Sequence, residues 1–430
     1  MLESRCFDVL VVGAGPAGLA AAVRAVEAGG SVALVDDNPN LGGQIWRGGR
    51  SKFASAEARF WIEVALDRPI EFLSSTQIVA QRDERTLLAE RDGSPLLLEY
   101  QKLILATGAR ERFLPFPGWT LPNVLGAGGL QALVKSGLPI SGKRVVVAGS
   151  GPLLLAVAAA IKQQGAKVCM LAEQAPLGRV LRFGLGLWRS PDKLAQALDF
   201  RAKLSGVPIR FGTWPTLAEG VDQLESVKLS DGRRIDCDYL ACGFGLIPNV
   251  ELADLLGCSI DSGRIVVDEF QRTSLPDHYA IGESTGIGGL ESALLEGQIA
   301  GYSATGAFDP ARKLFRKRDH SRRFAAALDR AFLLRDELKS LASDKTIVCR
   351  CEDVRFGELK SQTDALSAKL QTRCGMGPCQ GRICGPAVEF LFGWGRGTVR
   401  PPTFPVEIGT LAGLDENSEE ENGREGVIRR

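Results

Sequence analysis

The chain has 430 residues, of which 24% are charged, and a formal net charge of +1, so nothing in its balance recruits nucleic acid or an acidic surface. That length allows about two to three domains with ample buried core. The longest aliphatic run, Leu153 to Ile161, is far short of the ~20 residues a membrane span needs, and the N-terminus enters a strand with no signal-peptide pattern.

Phe7 to Val12 is an apolar run of strand length broken only by Asp8. Gly13-Ala14-Gly15-Pro16-Ala17-Gly18 and an alanine-rich helix to Gly29 follow, then a second apolar run, Val32 to Val35, ending at Asp36 and Asp37. Strand, glycine turn, helix, strand and acid stand in the order of a dinucleotide-binding unit. Gly13 makes the tight turn, Gly15 lets backbone approach a pyrophosphate, and Gly18 allows the helix to pack on the strand. The helix N-terminus presents free N–H groups to phosphate. Asp36 is placed to accept the ribose hydroxyls of an adenosine.

Leu103 to Ala109 reads as a buried strand running into the turn at Thr107-Gly108. The glycine pattern then recurs at Gly149-Ser150-Gly151-Pro152 after Val145 to Ala148, with a helix to Gly165 and a strand ending near Glu173. Leu154 replaces the third glycine, which predicts a wider helix–strand separation and weakens the signal. Two readings stand, a nucleotide site and a degenerate fold kept for structure. If nicotinamide binds, Glu173 repels a 2′-phosphate and favours NAD over NADP; ATP or ADP also satisfies such a site. Tyr239 to Gly245 repeats the buried strand, and Tyr279 to Glu283 precedes a glycine-rich turn and a helix around Glu291 to Tyr302.

As a set these motifs resemble the two-dinucleotide-domain flavoproteins related to glutathione and thioredoxin reductases, over roughly residues 6 to 305. The resemblance implies an α/β fold with two Rossmann-like domains: a split FAD domain, 1–110 and 240–307, and an NAD-type domain, 111–239, inserted in it. It also implies that Gly42-Gly43-Gln44 lies by the flavin and Thr107-Gly108 closes on the FAD. Gly282 with Glu283, where the family usually has aspartate, meets the ribityl or pyrophosphate. The family's disulfide reductases carry a redox pair beside the flavin. Here Cys237 and Cys242 share a suitable spacing but straddle a core strand, and they read as packing residues.

A basic stretch, Arg312, Lys313, Arg316, Lys317, Arg318, Arg322 and Arg323, lies in the segment 308–344. It reads as a solvated connector helix or as a partner-docking surface. Five of the ten cysteines then fall at Cys349, Cys351, Cys374, Cys379 and Cys384, with no histidine between them. Cys-x-Cys followed by Cys-x4-Cys supplies thiolates for a [2Fe–2S] cluster or an all-thiolate zinc site. Structural zinc favours paired Cys-x2-4-Cys knuckles, so iron–sulfur is the leading reading, ahead of zinc and of plain buried cysteines, and thiolate ligands imply a reducing, cytoplasmic compartment. Any membrane association is then left to partners.

The small C-terminal module 345–399 resembles the [2Fe–2S] domain typified by bacterioferritin-associated ferredoxin. CRCE, TRCGMGPCQGRICG, RPPTFP and the earlier NPNLGGQIWR together resemble the large subunits of bacterial amine and amino-acid dehydrogenases: hydroxyproline dehydrogenase, octopine and nopaline oxidases, and hydrogen cyanide synthase. By motif alignment to that group the ligands are Cys349, Cys351, Cys379 and Cys384; Cys374, where relatives often carry another residue, reads as a small apolar neighbour, and it is the alternative if one of the four is misassigned. The group implies FAD and [2Fe–2S], in some relatives an FMN between subunits, an amino-acid-oxidase-like flavoprotein partner and a small ferredoxin-like one. No catalytic acid, base or nucleophile is assigned in this chain. The expected function is an electron-transfer subunit of a heteromeric amino-acid or opine dehydrogenase. Its rivals are a self-sufficient NADH-dependent reductase and a non-enzymatic scaffold. Residues 400–430 read as an extended segment and an acidic tail lacking order.

Overall fold

Alternate residues of the strand Glu3–Val12 (β1) feed different cores: Val9 and Val11 pack on one face, Leu10 and Val12 on the other. That is the period-two signature of a strand buried on both sides. β1 pairs in parallel with Val32–Val35 (β2) and with Ser94–Leu105 (β6). Ile70–Leu73 (β3) extends the parallel edge beyond β2, and Thr76–Asp83 (β4) and Thr86–Arg91 (β5) add an antiparallel meander beside β6. The order is β3-β2-β1-β6-β5-β4, and His278–Ala280 pairs with the far end of β6.

The computed structural model describes residues 2–47, 55–395, 397 and 399–412. They fall into two compact units: Met1–Ala109 with Pro248–Arg323 and Thr398–Arg430, and Arg110–Ile247 with Phe324–Gly397. The acidic tail from Asp415 onward lies outside the described residues.

In the first unit, helix Pro16–Glu27 follows the glycine turn and helix Gly289–Ala304 lies against it. Close approach is built in, because a Cβ on Gly297 or Gly301 would sit 2.2 or 2.3 Å from a carbonyl oxygen of the facing helix. The segment before helix Ile408–Ala412 is also anchored in this unit. Thr403 N donates to Val79 O at 2.8 Å and its hydroxyl to Ile78 O at 3.0 Å.

The second unit repeats the scheme with a five-stranded parallel sheet, in the order Ile209–Phe211, Lys167–Glu173, Arg144–Ser150, Tyr239–Phe244, Val124–Gly126. Val145 and Val147 serve one core, Val146 and Ala148 the other. Leu154, in the third glycine's place, is buried in the first of these. A three-stranded antiparallel sheet of Pro215–Glu219, Ser226–Leu229 and Arg234–Asp236 is appended. Cys237 and Cys242 are fully buried among apolar side chains, and burial pushes the Cys237 thiol up to about 12.

The cysteine segment belongs to this second unit. Trp119 Nε1 donates to Ile347 O at 2.6 Å, the Arg350 guanidinium lies 5.5 Å from the Trp119 ring, and Phe390 packs on the same core. The expected connector is a helix at Phe308–Ala331 followed by a separate short turn at Asp336–Ser340.

Candidate functional site

The first glycine turn is shaped as the sequence predicts. Gly13 has φ +112°, and a Cβ there would come within 2.2 Å of Ala106 O, so only glycine fits. A Cβ on Gly18 would meet Gly13 O at 1.8 Å, while above Gly15 there is open space. That space lies at the N-terminus of a twelve-residue helix opened by Pro16 and Ala17, where first-turn N–H groups favour an anion. Asp36 is nearly buried; Oδ2 accepts the Ala14 N–H at 2.5 Å and Oδ1 accepts the Asn38 N–H at 2.8 Å. Burial, then the neighbouring Asp36 charge, raises the Asp37 carboxyl.

The other residues assigned to this site lie in the same unit. Gly42 N donates to Ala14 O at 2.9 Å, a Cβ on Gly43 would meet Gly15 Cα at 2.8 Å, and Gln44 Oε1 accepts from Arg47 at 3.0 Å. Thr107 and Asn249 clasp one another through hydrogen bonds of 2.6 and 2.8 Å, and Gly108 takes the left-handed conformation. Gly282, with φ +69°, donates its N–H to Glu296 at 2.9 Å, and Glu283 caps the next helix by accepting the Gly289 N–H at 2.8 Å. Sequence reasoning missed Glu296. It is 3% exposed and also accepts from Thr285 and Arg322, and only its place on an otherwise small and apolar helix face hinted at it.

In the second fold Gly149 has φ +134° and Gly151, followed by Pro152, has φ +99°. Glu173 is 3% exposed, accepts the Gly151 and Ala175 N–H groups at 2.8 Å, and is raised by burial to about 7. A strap crosses this turn from within the unit. Ser150 Oγ donates to Phe332 O at 3.0 Å, Arg179 donates to Leu333 O at 2.8 Å, and the fully buried Gln174 bonds Ser150 Oγ at 2.9 Å.

The cysteine segment is built on strand Ile347–Cys349, helix Ala365–Thr372 and helix Cys384–Phe392. The Cys349, Cys374 and Cys384 sulfurs all lie within 4.8 Å of one another and all three residues are buried. Cys351 is exposed and Cys379 half-buried, and these two meet as a second group, with the Cys379 N–H directed at the Cys351 sulfur. The S–H groups of Cys374, first, and of Cys384 hold the Cys349 thiol far below its usual range, helped by the Gly375 and Glu352 N–H groups. The same contact with Cys349 pushes Cys374 up to about 12 and raises Cys384. Five thiols without a carboxylate or imidazole among them form a soft donor set, and N–H groups aimed at sulfur suit bound thiolates. The four expected ligands are thus divided between the two groups, and Cys374 stands in the buried one. Arg110, three residues beyond Thr107 in sequence, donates to Arg382 O at 3.0 Å inside the cysteine loop.

The basic helix is mixed in character. Arg318 and Arg322 turn inward to Glu269 O and Glu296, whereas Arg316, Lys317, His320 and Arg323 are exposed and with Glu291 line an open cleft of about 440 Å³. Among the described residues no helix is long and apolar enough to cross a membrane.

The family model described as pyridine nucleotide-disulphide oxidoreductase matches residues 7–299. The chain is 32% identical to the HcnB component of hydrogen cyanide synthase from Pseudomonas protegens, over 87% of this chain and 89% of that one. It is 31% identical to an opine oxidase subunit from Agrobacterium tumefaciens, over 95% and 92%. The solved structure of L-proline dehydrogenase from P. horikoshii superposes with a TM-score of 0.71 at 19% identity, covering 96% of this chain and 80% of that one.

Proposed function

The chain belongs to the pyridine nucleotide-disulphide oxidoreductase family, among flavoprotein oxidoreductases related to HcnB and the opine oxidase subunit, and we propose that it is an electron-transfer subunit of a heteromeric amino-acid or opine dehydrogenase. The observation that carries this reading is the five-thiol site, in a chain matched over most of its length by proteins named as subunits of hydrogen cyanide synthase and of opine oxidase.

The family implies FAD, for which the Gly13–Gly18 turn, Asp36, Gly43, Thr107-Gly108 and the Gly282 turn form the binding surface. A [2Fe–2S] cluster would be held by thiolates of the cysteine segment. When bound, the two groups supply reversible acceptance of electrons in pairs and singly. The residues of this chain set how those electrons are held. N–H groups of Gly375 and Glu352 face the Cys349 sulfur and that of Cys379 the Cys351 sulfur, and such bonds would raise the potential of a cluster held by these thiolates. The Arg110–Arg382 bond joins the cysteine loop to a residue close in sequence to the flavin-side turn. No general base is required here, because C–N oxidation is assigned to a partner flavoprotein. A quinone or respiratory acceptor takes the electrons onward, and the exposed basic cleft offers a surface for a partner.

Co-expression with the amino-acid-oxidase-like partner, followed by substrate-dependent dye reduction, tests the reading. Activity that needs both chains is expected. The NADH-dependent alternative is tested by anaerobic mixing with NADH: fast flavin bleaching of this chain alone would overturn the subunit reading. The strap on Ser150 and Gln174 argues for slow bleaching or none.

A further inference from the structure

A [2Fe–2S] cluster takes four thiolates, and this segment offers five. Cys351 and Cys379 already form one pair, which leaves Cys349, Cys374 and Cys384 for the second iron. The Cys374 and Cys384 sulfurs both lie within 4.8 Å of the Cys349 sulfur and of each other, and all three residues are buried. Their backbones are anchored independently. Cys384 opens helix Cys384–Phe392, whereas Cys374 sits between two left-handed residues, Arg373 at φ +65° and Gly375 at φ +83°. Cys374 is buried at this place, where motif alignment reads a neighbour.

We propose that Cys374 is a resident spare ligand, able to replace Cys384 on the iron held by Cys349. The inference rests on the iron–sulfur reading of the site. At these separations the exchange needs side-chain rotation and no rearrangement of helix Cys384–Phe392. One Fe–S bond, to Cys384, is absent or breaks, and one to Cys374 forms. Cys374 gives its proton to solvent as it binds, a released Cys384 thiolate regains one, and no electron moves.

The test uses the full-length protein reconstituted with iron and sulfide, in wild-type form and as C384S, C374S, C374S/C384S and C351S. Iron and acid-labile sulfide per chain, and the EPR spectrum of the reduced protein, are read alongside flavin content, which reports that the rest of the chain is folded. C384S is expected to keep most of its iron with shifted g-values, and C374S/C384S and C351S to lose theirs. Iron loss in C384S equal to that in the double variant would overturn the proposal while leaving the iron–sulfur reading intact. Zinc in place of iron in the wild-type protein purified without reconstitution would overturn both. If C384S lacks flavin, the decision passes to C374S under an iron chelator. Several-fold faster cluster loss than wild type supports the spare ligand, and equal rates overturn it.

Discussion

Arg322 Nε lies 2.9 Å from Glu296 Oε1, and the opposite oxygen of that carboxylate accepts both the Gly282 N–H and the Thr285 hydroxyl at 2.9 Å. A side chain of the basic helix therefore balances the buried charge that holds the Gly282 turn. Removing the cation from a buried carboxylate costs about 3 kcal/mol, reduced here because Arg322 is partly exposed. We expect Arg322→Met and Glu296→Gln to lower thermal stability and to release FAD several-fold more readily. Fluorescence of free flavin during gel filtration measures this. Retention of FAD at wild-type affinity in both variants would remove the positioning role.

Much of this was legible because it is local. Gly13, Gly15, Gly18 and Asp36 fall within one strand-turn-helix-strand passage, so spacing alone places the turn, and the repeat at Gly149 is read in the same way. Residues whose role depends on distant partners were not legible. Glu296 stands out only as an acid on a small and apolar helix face until Gly282 and Arg322 are brought to it, and Arg322 is indistinguishable in sequence from its exposed neighbour Arg323. The resembled group's motif sets Cys374 aside while keeping it open as the alternative ligand, and that motif does not carry the left-handed conformations at Arg373 and Gly375 that flank it.

Gly377 touches the second thiol group. A Cβ built there would lie 2.2 Å from Cys351 Cβ and 3.1 Å from Glu352 Oε1, so Gly377→Ala has to displace the Cys351 loop. Overpacking of this kind costs about 1–3 kcal/mol. The expected result is a clear fall in iron per chain with flavin content unchanged. Iron content equal to wild type would mean that the loop adjusts freely.

Trp119 ties the cysteine segment to its unit. It is 5% exposed, and its Nε1–H is bonded to Ile347 O two residues before Cys349. Trp119→Phe keeps an aromatic ring, though a smaller one, and leaves that carbonyl without its donor, a loss of about 1–2 kcal/mol before the lost packing is added. Hydrogen exchange is expected to rise in the peptide containing Ile347 to Arg350 and to stay unchanged around Gly13. Uniform exchange across both peptides would place the loss elsewhere.

Glu173 supplies the pH-dependent prediction. Burial raises its carboxyl from 4.5 to about 7, outweighing the N–H groups of Ala175 and Gly151, which favour the charged form. An acid whose folded pKa is raised contributes stability that is fully present below 4.5 and is lost as pH climbs through about 7. Across that window the shift corresponds to a loss of about 3 kcal/mol, at 1.4 kcal/mol per pKa unit. Glutamine keeps the volume but does not titrate, and it sets an NH2 against one of the two backbone donors. Glu173→Gln is therefore expected to lower stability at acid pH while removing this residue's part of the decline between pH 5 and 8. Denaturant titrations of both proteins at several pH values measure it. Parallel pH profiles would show that the carboxylate is already ionised throughout, with the backbone donors prevailing over burial.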